Sequence, residues 1–592
     1  MVAGFQQQTA EDPTGRNPIV VLGAGINGAA VARELALAGT PVVVIDADDI
    51  ACGATAWSTR LIHGGLRYLE YGEVGLVRES LVERDRLARL APHLVRRLAF
   101  YVPARGRWGG MWAAAARLCG MESMARWLRS PRGRGTWTLG IGLTLYDLLA
   151  AGSDWPRHRT VRAGGLGMPR IDAASFPWAC TYADGQAVAA ERLAVEMLVD
   201  AREIAAAQGA AFAVHTRSHA RLEADGRLSV NAEVQDALTV LRPAAIVNAT
   251  GAWVDQTCRD LLPGASTRLI GGTKGSHLVV DSPSLRDALG DGGIYAEADD
   301  GRAVFVLPFG RRLVLVGTTD IPYDGDPAAA RADDAEIDYL LAAAARLFPN
   351  VSLGRGAVQQ HYSGVRPLPA VDPSRRGSPG AITRRHGVVR HPGAPVPLWS
   401  IIGGKLTTCR HLAETVAADV LGAVGVPVRG TSRDRPLPGA WAAGGAGVPP
   451  AELLRDTAAA MAAAGVPTRD AEEAAVRLVD IFGTRAVAAC REAAPAGWRG
   501  SPMIADIGLP SAAVWFAVRH EWARSLADIV ERRLMLVFDP RLSRRSLDAI
   551  ADALVSCGTL AAHQRQTAVD GYAARLRDHF GKQLFIPQEN AP

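Results

Sequence analysis

Pro18-Ile-Val-Val-Leu22-Gly23-Ala-Gly25-Ile-Asn27-Gly28 is the stretch that decides the fold. Pro18 to Leu22 is a short β-branched apolar run, the composition of a buried parallel strand. Residues 29–39 (AAVARELALAG) then have helical composition and end on Gly39, a fitting C-cap. A second apolar run, Pro41 to Ile45, ends on Asp46. This order is a βαβ unit that binds a dinucleotide. Gly23 allows the tight turn, Gly25 lets the backbone approach a pyrophosphate, and Gly28 lets helix pack on strand. The pyrophosphate would sit at the positive helix N-terminus, and Asp46 would accept hydrogen bonds from the ribose. The fingerprint alone does not separate a nicotinamide from a flavin dinucleotide.

A chain of 592 residues is too long for one core, so two or more domains are expected. The net charge of +5 is small for this length, and arginines interleave with acids, which argues against nucleic acid as a partner. Cysteines stand at 52, 119, 180, 258, 409, 490 and 557 with no CxxC pair. That spacing excludes a disulfide framework and suggests no metal site. Residues 1–16 read as a disordered, polar start without signal-peptide character, and no apolar run reaches the ~18–20 residues of a membrane span. A cytoplasmic location is expected.

From Arg60 the chain reads Arg60-Leu-Ile-His63-Gly64-Gly65-Leu-Arg67-Tyr68-Leu-Glu70. Further motifs follow in order: Asn248-Ala-Thr250-Gly251-Ala-Trp253, Lys274-Gly-Ser-His277, Gly317-Thr-Thr-Asp320, Tyr362-Ser-Gly-Val-Arg366-Pro-Leu and Gly403-Gly404-Lys405-Leu406-Thr407-Thr408. Together they resemble the aerobic, quinone-linked FAD-dependent glycerol-3-phosphate dehydrogenases of the D-amino-acid-oxidase-like flavoprotein superfamily. The likeness runs from about residue 17 to about residue 540 and includes the segment 517–533.

The resemblance implies FAD as cofactor and oxidation of sn-glycerol 3-phosphate to dihydroxyacetone phosphate, with electrons passed to a quinone. It implies a cofactor site made by Gly23, Gly25, Asn27, Gly28, Asp46, Ser58, Thr59, His63, Gly64, Gly65, Thr250, Gly251, Gly403, Gly404, Lys405, Leu406 and Thr407. It also implies that Arg67, Tyr68, Arg366 and Lys405 converge on the substrate phosphate. The chemistry agrees, because a phosphate dianion suits planar Arg forks and a point-charge Lys. Removal of the substrate's hydroxyl proton suits a histidine; His277 is the leading base and His63 the alternative. An oxidase using O2, a related flavoenzyme acting on an amino acid or hydroxy acid, and a non-catalytic flavin-binding protein are the competing readings.

Several positions depart from the family pattern. Ala56 and Trp57 stand in the flavin-contacting run, Arg60 replaces a usual Lys near the pyrophosphate, and Val188 to Ala190 stand where relatives are acidic. An apparent insertion lies between Pro103 and Tyr146. Its residues 107–134 combine Trp, Met and Arg at roughly helical spacing, which suits a peripheral contact with the inner face of the cell membrane. An amphipathic cap helix over the active site is the other reading.

The expected fold class is α/β (α+β overall): a Rossmann-type FAD-binding domain, an antiparallel-sheet substrate domain and a helical C-terminal domain. Within an oxidoreductase region at 17–428, the FAD-binding segments fall at about 17–91, 185–260 and 395–428, and the substrate or cap segments at about 92–184 and 261–394. Arg302–Pro308 and Arg312–Gly317 read as a hairpin. Residues 429–450, rich in Pro and Gly, read as a linker before helices at 451–580. A homodimer is expected.

Overall fold

Ile19–Leu22 and Val42–Ile45 pair in parallel, with Ile19 opposite Val42 and Leu22 opposite Ile45, and the helix Ile26–Leu37 crosses between them. The computed structural model describes residues 15–587 apart from 110–134, 166, 233–236, 263, 265–266, 299, 371–385, 442–448 and 465. These two strands lie inside a six-stranded sheet ordered Gly387–Arg390, Leu398–Ile402, Ala245–Asn248, Ile19–Leu22, Val42–Ile45, Phe212–His215. All neighbours are parallel except Gly387–Arg390, which runs antiparallel along the edge.

Alternation explains why these strands are apolar throughout. Val21, Val44, Val247 and Trp399 face the helices Ile26–Leu37, Ala190–Ala207 and Cys409–Ala423. Val20, Val43, Ile246 and Leu398 face a three-stranded antiparallel sheet through Leu222, Leu228 and Val230. A sheet covered on both sides must be hydrophobic on both sides. Each fully buried Val or Leu contributes roughly 1.5–3 kcal/mol.

A second sheet has ten strands, and Ile270–Val280 pairs with Leu313–Gly317, Ile321–Pro322 and Val358–Pro369. The expected hairpin is present as Ala303–Phe309 against Leu313–Gly317. The sheet is antiparallel as expected apart from one pairing, in which Gly293–Glu297 lies parallel to Val95–Ala104. The two sheets also exchange chain. Leu61–Ile62 joins the ten-stranded sheet, whereas Gly387–Arg390, from the stretch assigned to the substrate domain, edges the six-stranded one.

The C-terminal part is built from helices, among them Thr468–Phe482, Ala512–His520, Arg544–Ser556 and Arg565–Phe580, plus a two-residue hairpin, Met503–Ile504 with Leu509–Pro510. Buried ion pairs lock it to the dinucleotide domain. Asp49 receives Arg532 Nε at 2.6 Å and both terminal nitrogens of Arg533 at 2.8 Å. Burying such charges is tolerable only when each is paired, so these contacts fix how the helices seat. The stretch read as a linker is packed where it is described: Leu437 and Trp441 are buried, and Arg435 pairs with Asp200 at 2.8 Å.

Residues 110–134 of the segment read as a membrane contact lie outside the described residues. At its border Trp108 is exposed and stacks on Trp137, with ring centroids 5.6 Å apart. The helix Thr136–Leu149 exposes Trp137, Ile141, Leu145 and Leu148, a stripe at helical spacing. Among the described residues no helix is long and apolar enough to cross a membrane.

Candidate active site

At the C-terminal ends of the parallel strands lies a cavity of about 1100 Å³, walled by residues of both sheets. Open α/β sheets bind ligands at this edge. Gly23 turns the chain there with φ +94°, and a Cβ would lie 2.8 Å from the Ala249 carbonyl oxygen. No side chain caps the helix that starts after Gly25, although Thr55 Oγ1 accepts from the Ile26 amide at 3.0 Å. Asn27 Nδ2 donates to the Gly403 carbonyl at 3.1 Å, while Asn27 Oδ1 is buried without a hydrogen-bond partner among the described residues. Asp46 accepts from the Ala24 amide at 2.6 Å, and burial pushes its carboxyl up to about 6. A dinucleotide fits these features: an uncapped helix start, an orphan acceptor and room along the strand ends.

Opposite them, Gly65 at φ +79° opens the 3-10 turn Leu66–Tyr71, which brings Arg67 and Tyr68 to the wall. Lys405 Nζ lies 4.0 Å from the centroid of the Tyr68 ring. The Arg366 guanidinium bonds Asp320 Oδ1 at 3.0 Å and Thr318 Oγ1 at 2.9 Å. Thr407 Oγ1 accepts from the His63 amide at 3.0 Å.

His277 sits in the strand Ile270–Val280, opposite Tyr362 and Gly317. Its Nε2 is 2.9 Å from Thr59 Oγ1, and its ring stacks on Tyr362 at 4.9 Å. Gly317 is obligatory beside it, because a Cβ there would fall 2.2 Å from His277 Cδ2. Burial first, then the charges of Arg366 and Arg60, hold this imidazole well below the ordinary histidine range.

Of the residues singled out from sequence, Gly23, Gly25, Asn27, Asp46, Ser58, Thr59, His63, Gly65, Arg67, Tyr68, Thr250, Gly251, His277, Arg366, Gly403, Gly404, Lys405, Leu406 and Thr407 line this one cavity. Gly28 and Gly64 stand behind the wall. A Cβ on Gly28 would meet the Gly23 carbonyl oxygen at 1.9 Å, and the Gly64 amide is 3.0 Å from Tyr146 Oη. Arg60 lines the wall, but its guanidinium is buried against Glu191 and the Ala56 carbonyl, so it is not spare for a pyrophosphate. Glu191 opens the helix Ala190–Ala207, so this acid lies just past the Val188 to Ala190 departure.

Sequence reasoning missed other wall residues. Thr318 and Asp320 lay in the GTTD motif without an assigned role, Arg302 was read only as the start of a hairpin strand, and Tyr295 carried no reading. Arg575 and His579 come from the last helix, where no local signal marks them.

Residues 18–418 match the FAD dependent oxidoreductase family, and residues 431–558 match the C-terminal domain of alpha-glycerophosphate oxidase. A glycerol-3-phosphate dehydrogenase of Synechocystis sp. is 36% identical over 548 residues, 89% of each chain. The D-erythritol 1-phosphate dehydrogenase of Brucella abortus is 34% identical over 67% of this chain and 72% of its own. The glycerol-3-phosphate dehydrogenase structure from Bacillus halodurans, complexed with FAD, covers 98% of both chains with a TM-score of 0.70 at 21% identity, which shows a shared fold.

Proposed function

Because the chain belongs to the FAD-dependent oxidoreductase family, we propose that it oxidises sn-glycerol 3-phosphate to dihydroxyacetone phosphate and passes the electrons to a membrane quinone. The observation that carries this reading is that His277 and the basic groups Arg67, Arg366 and Lys405 line the same cavity as the dinucleotide fingerprint.

FAD, when bound, would supply the hydride acceptor for oxidation at C2 of the substrate. Gly23, Gly25 and the start of the helix Ile26–Leu37 would hold its pyrophosphate, and Asp46 would hold the adenosine ribose. Arg67, Arg366 and Lys405 hold the phosphate dianion of the substrate, with Arg366 exchanging its Asp320 partner for a phosphate oxygen. That anchor orients C2. His277 takes the hydroxyl proton on Nε2, and its depressed basicity keeps it unprotonated at neutral pH. Thr59 Oγ1 faces that nitrogen in the free site, and the substrate hydroxyl takes its place there.

The stripe Trp137, Ile141, Leu145 and Leu148, with Trp108 beside it, supports docking on a bilayer, where a quinone is found. The match of residues 431–558 to an oxidase domain favours O2 as a second acceptor reading. Anaerobic absorbance spectra before and after sn-glycerol 3-phosphate test the substrate. Bleaching of the flavin band supports the proposal, and an unchanged flavin spectrum overturns it. Reoxidation by a soluble quinone without H2O2 formation then supports the quinone, whereas stoichiometric H2O2 in air selects the oxidase.

A further inference from the structure

Glu336, in the first turn of the helix Asp334–Leu347, is a buried carboxylate with donors on both oxygens. Oε2 pairs with Lys274 Nζ at 2.7 Å and accepts from the Asp333 amide at 3.1 Å. Oε1 accepts from the Ser276 hydroxyl at 2.8 Å and from the Thr319 hydroxyl at 2.7 Å. Lys274 offsets the cost of burying the charge, and the Asp333 amide completes the capping box of the helix. The two hydroxyls belong to the segments that hold His277 and Arg366.

Thr319 is the middle residue of Thr318–Asp320, and all three meet the Arg366 guanidinium. Thr318 Oγ1 accepts at 2.9 Å and Asp320 Oδ1 at 3.0 Å, while the Thr319 carbonyl faces the two terminal nitrogens at 3.4 and 3.3 Å. A hydroxyl has one proton to give. Thr319 gives its proton to Glu336, and the same oxygen accepts from the Ser276 amide at 2.8 Å. The side chain is thus held from two directions, and the carbonyl under Arg366 is fixed with it. There is little slack nearby: a Cβ on Gly275 would fall 2.1 Å from Arg366 Nη2 and 2.6 Å from Thr318 Oγ1.

Ser276 directly precedes His277 in the strand Ile270–Val280. One atom, Glu336 Oε1, therefore ties the neighbour of the base to the segment that carries the Arg366 fork. A substrate held by its phosphate and deprotonated at its hydroxyl needs both ends in register. A misplacement of about 1 Å can lower the rate by about 10².

We propose that Glu336 is a positioning residue: through the hydroxyls of Thr319 and Ser276 it holds the Arg366 fork in register with His277. The role rests on the reading of Arg366 as the anchor of the substrate phosphate. It also gives Thr318, Thr319 and Asp320 a shared task, which is to aim one guanidinium.

The test uses Thr319→Val, which deletes both bonds of that hydroxyl at nearly constant volume, and Glu336→Gln, in the full-length holoenzyme. Each is measured alone and combined with Arg366→Lys. Asp333→Ala is the control, because it breaks the capping box of the same helix without touching Thr319. Thr319→Val and Glu336→Gln are expected to raise KM for sn-glycerol 3-phosphate about tenfold with FAD content retained. Asp333→Ala should lower the melting temperature and leave KM unchanged. In the Arg366→Lys background the first two substitutions should add less than about threefold, because the fork they aim is already lost. The positioning role is overturned, with Arg366 still the anchor, by any of three results. These are a KM within about twofold of wild type in either variant, full multiplication of the effects in the double variants, or an equal rise in Asp333→Ala. If Arg366→Lys itself leaves KM unchanged, the anchor reading fails and the positioning role falls with it. If the wild-type enzyme does not oxidise sn-glycerol 3-phosphate, the dissociation constant of inorganic phosphate, read from the flavin spectrum, replaces KM in the same cycle; no phosphate binding overturns both readings.

Discussion

His277 Nε2 and Thr59 Oγ1 stand 2.9 Å apart, joining the strand Ile270–Val280 to the loop on the cofactor side of the cavity. Burial, then the charges of Arg366 and Arg60, disfavour charging of that imidazole.

Replacing the base should separate chemistry from binding. His277→Asn is expected to lower kcat by about 10²–10⁴ while FAD content is retained. In the wild-type enzyme kcat should be level at neutral pH and fall only as the imidazole protonates, below the usual histidine value of about 6.5. Steady-state kcat–pH profiles check both, and a His277→Asn enzyme with unchanged kcat removes His277 from the role.

Arg366 presents a two-nitrogen fork that Asp320 and Thr318 occupy in this structure. Arg366→Lys keeps the charge and loses the fork. KM for sn-glycerol 3-phosphate is expected to rise about tenfold or more, with flavin content unchanged. A KM within about twofold of wild type would mean that the phosphate is held elsewhere.

Gly404 has φ +93°, and a Cβ on it would approach Asn27 Nδ2 to 2.6 Å. Gly404→Ala should therefore strain the turn by roughly 1–3 kcal/mol and displace Asn27 from the fingerprint. The expected outcome is a folded protein that loses FAD on gel filtration. Gly422→Ala is the control, because its Cβ meets nothing within 4 Å in the helix Cys409–Ala423. If Gly404→Ala holds FAD as tightly as that control, the Gly403-Gly404 turn has no part in the cofactor site.

What could be read from sequence was local. The βαβ unit announces itself because strand, turn and helix periods change within some 30 residues. The hairpin of Ala303–Phe309 with Leu313–Gly317 is legible for the same reason. Partners far apart in the chain were not. Arg60 is identifiable as a cation, yet only folding brings it to Glu191, 131 residues on. Asp49 meets Arg532 across 483 residues, and Gly293 pairs in parallel with Phe100, a residue far back in the chain. Charge type is written locally, whereas the choice of partner is set by packing. The same limit hid Arg575 and His579, whose helix reads as an ordinary amphipathic element until it is laid against Trp57.

Acid stability should expose the lock between the domains. Glu521 is fully buried, with Arg192 donating to it at 2.8 Å and Arg485 at 3.0 Å. Burial acts to raise its pKa, but Arg192, Arg485 and Arg533 outweigh that and hold the carboxyl at about 2, against 4.5 for an ordinary glutamate. A carboxylate with a depressed folded-state value stabilises the protein above its unfolded value. That contribution, a few kcal/mol, fades as pH falls from 4.5 towards about 2. Glu521→Gln leaves buried guanidiniums without their counter-charge and is expected to lose about 3–5 kcal/mol at neutral pH. Its deficit against wild type should narrow as pH drops from about 5 to about 3, because the wild-type carboxylate loses its advantage there. Urea unfolding of both holoenzymes across this range measures the gap; a deficit independent of pH would mean that the Glu521 charge contributes nothing and only its shape matters.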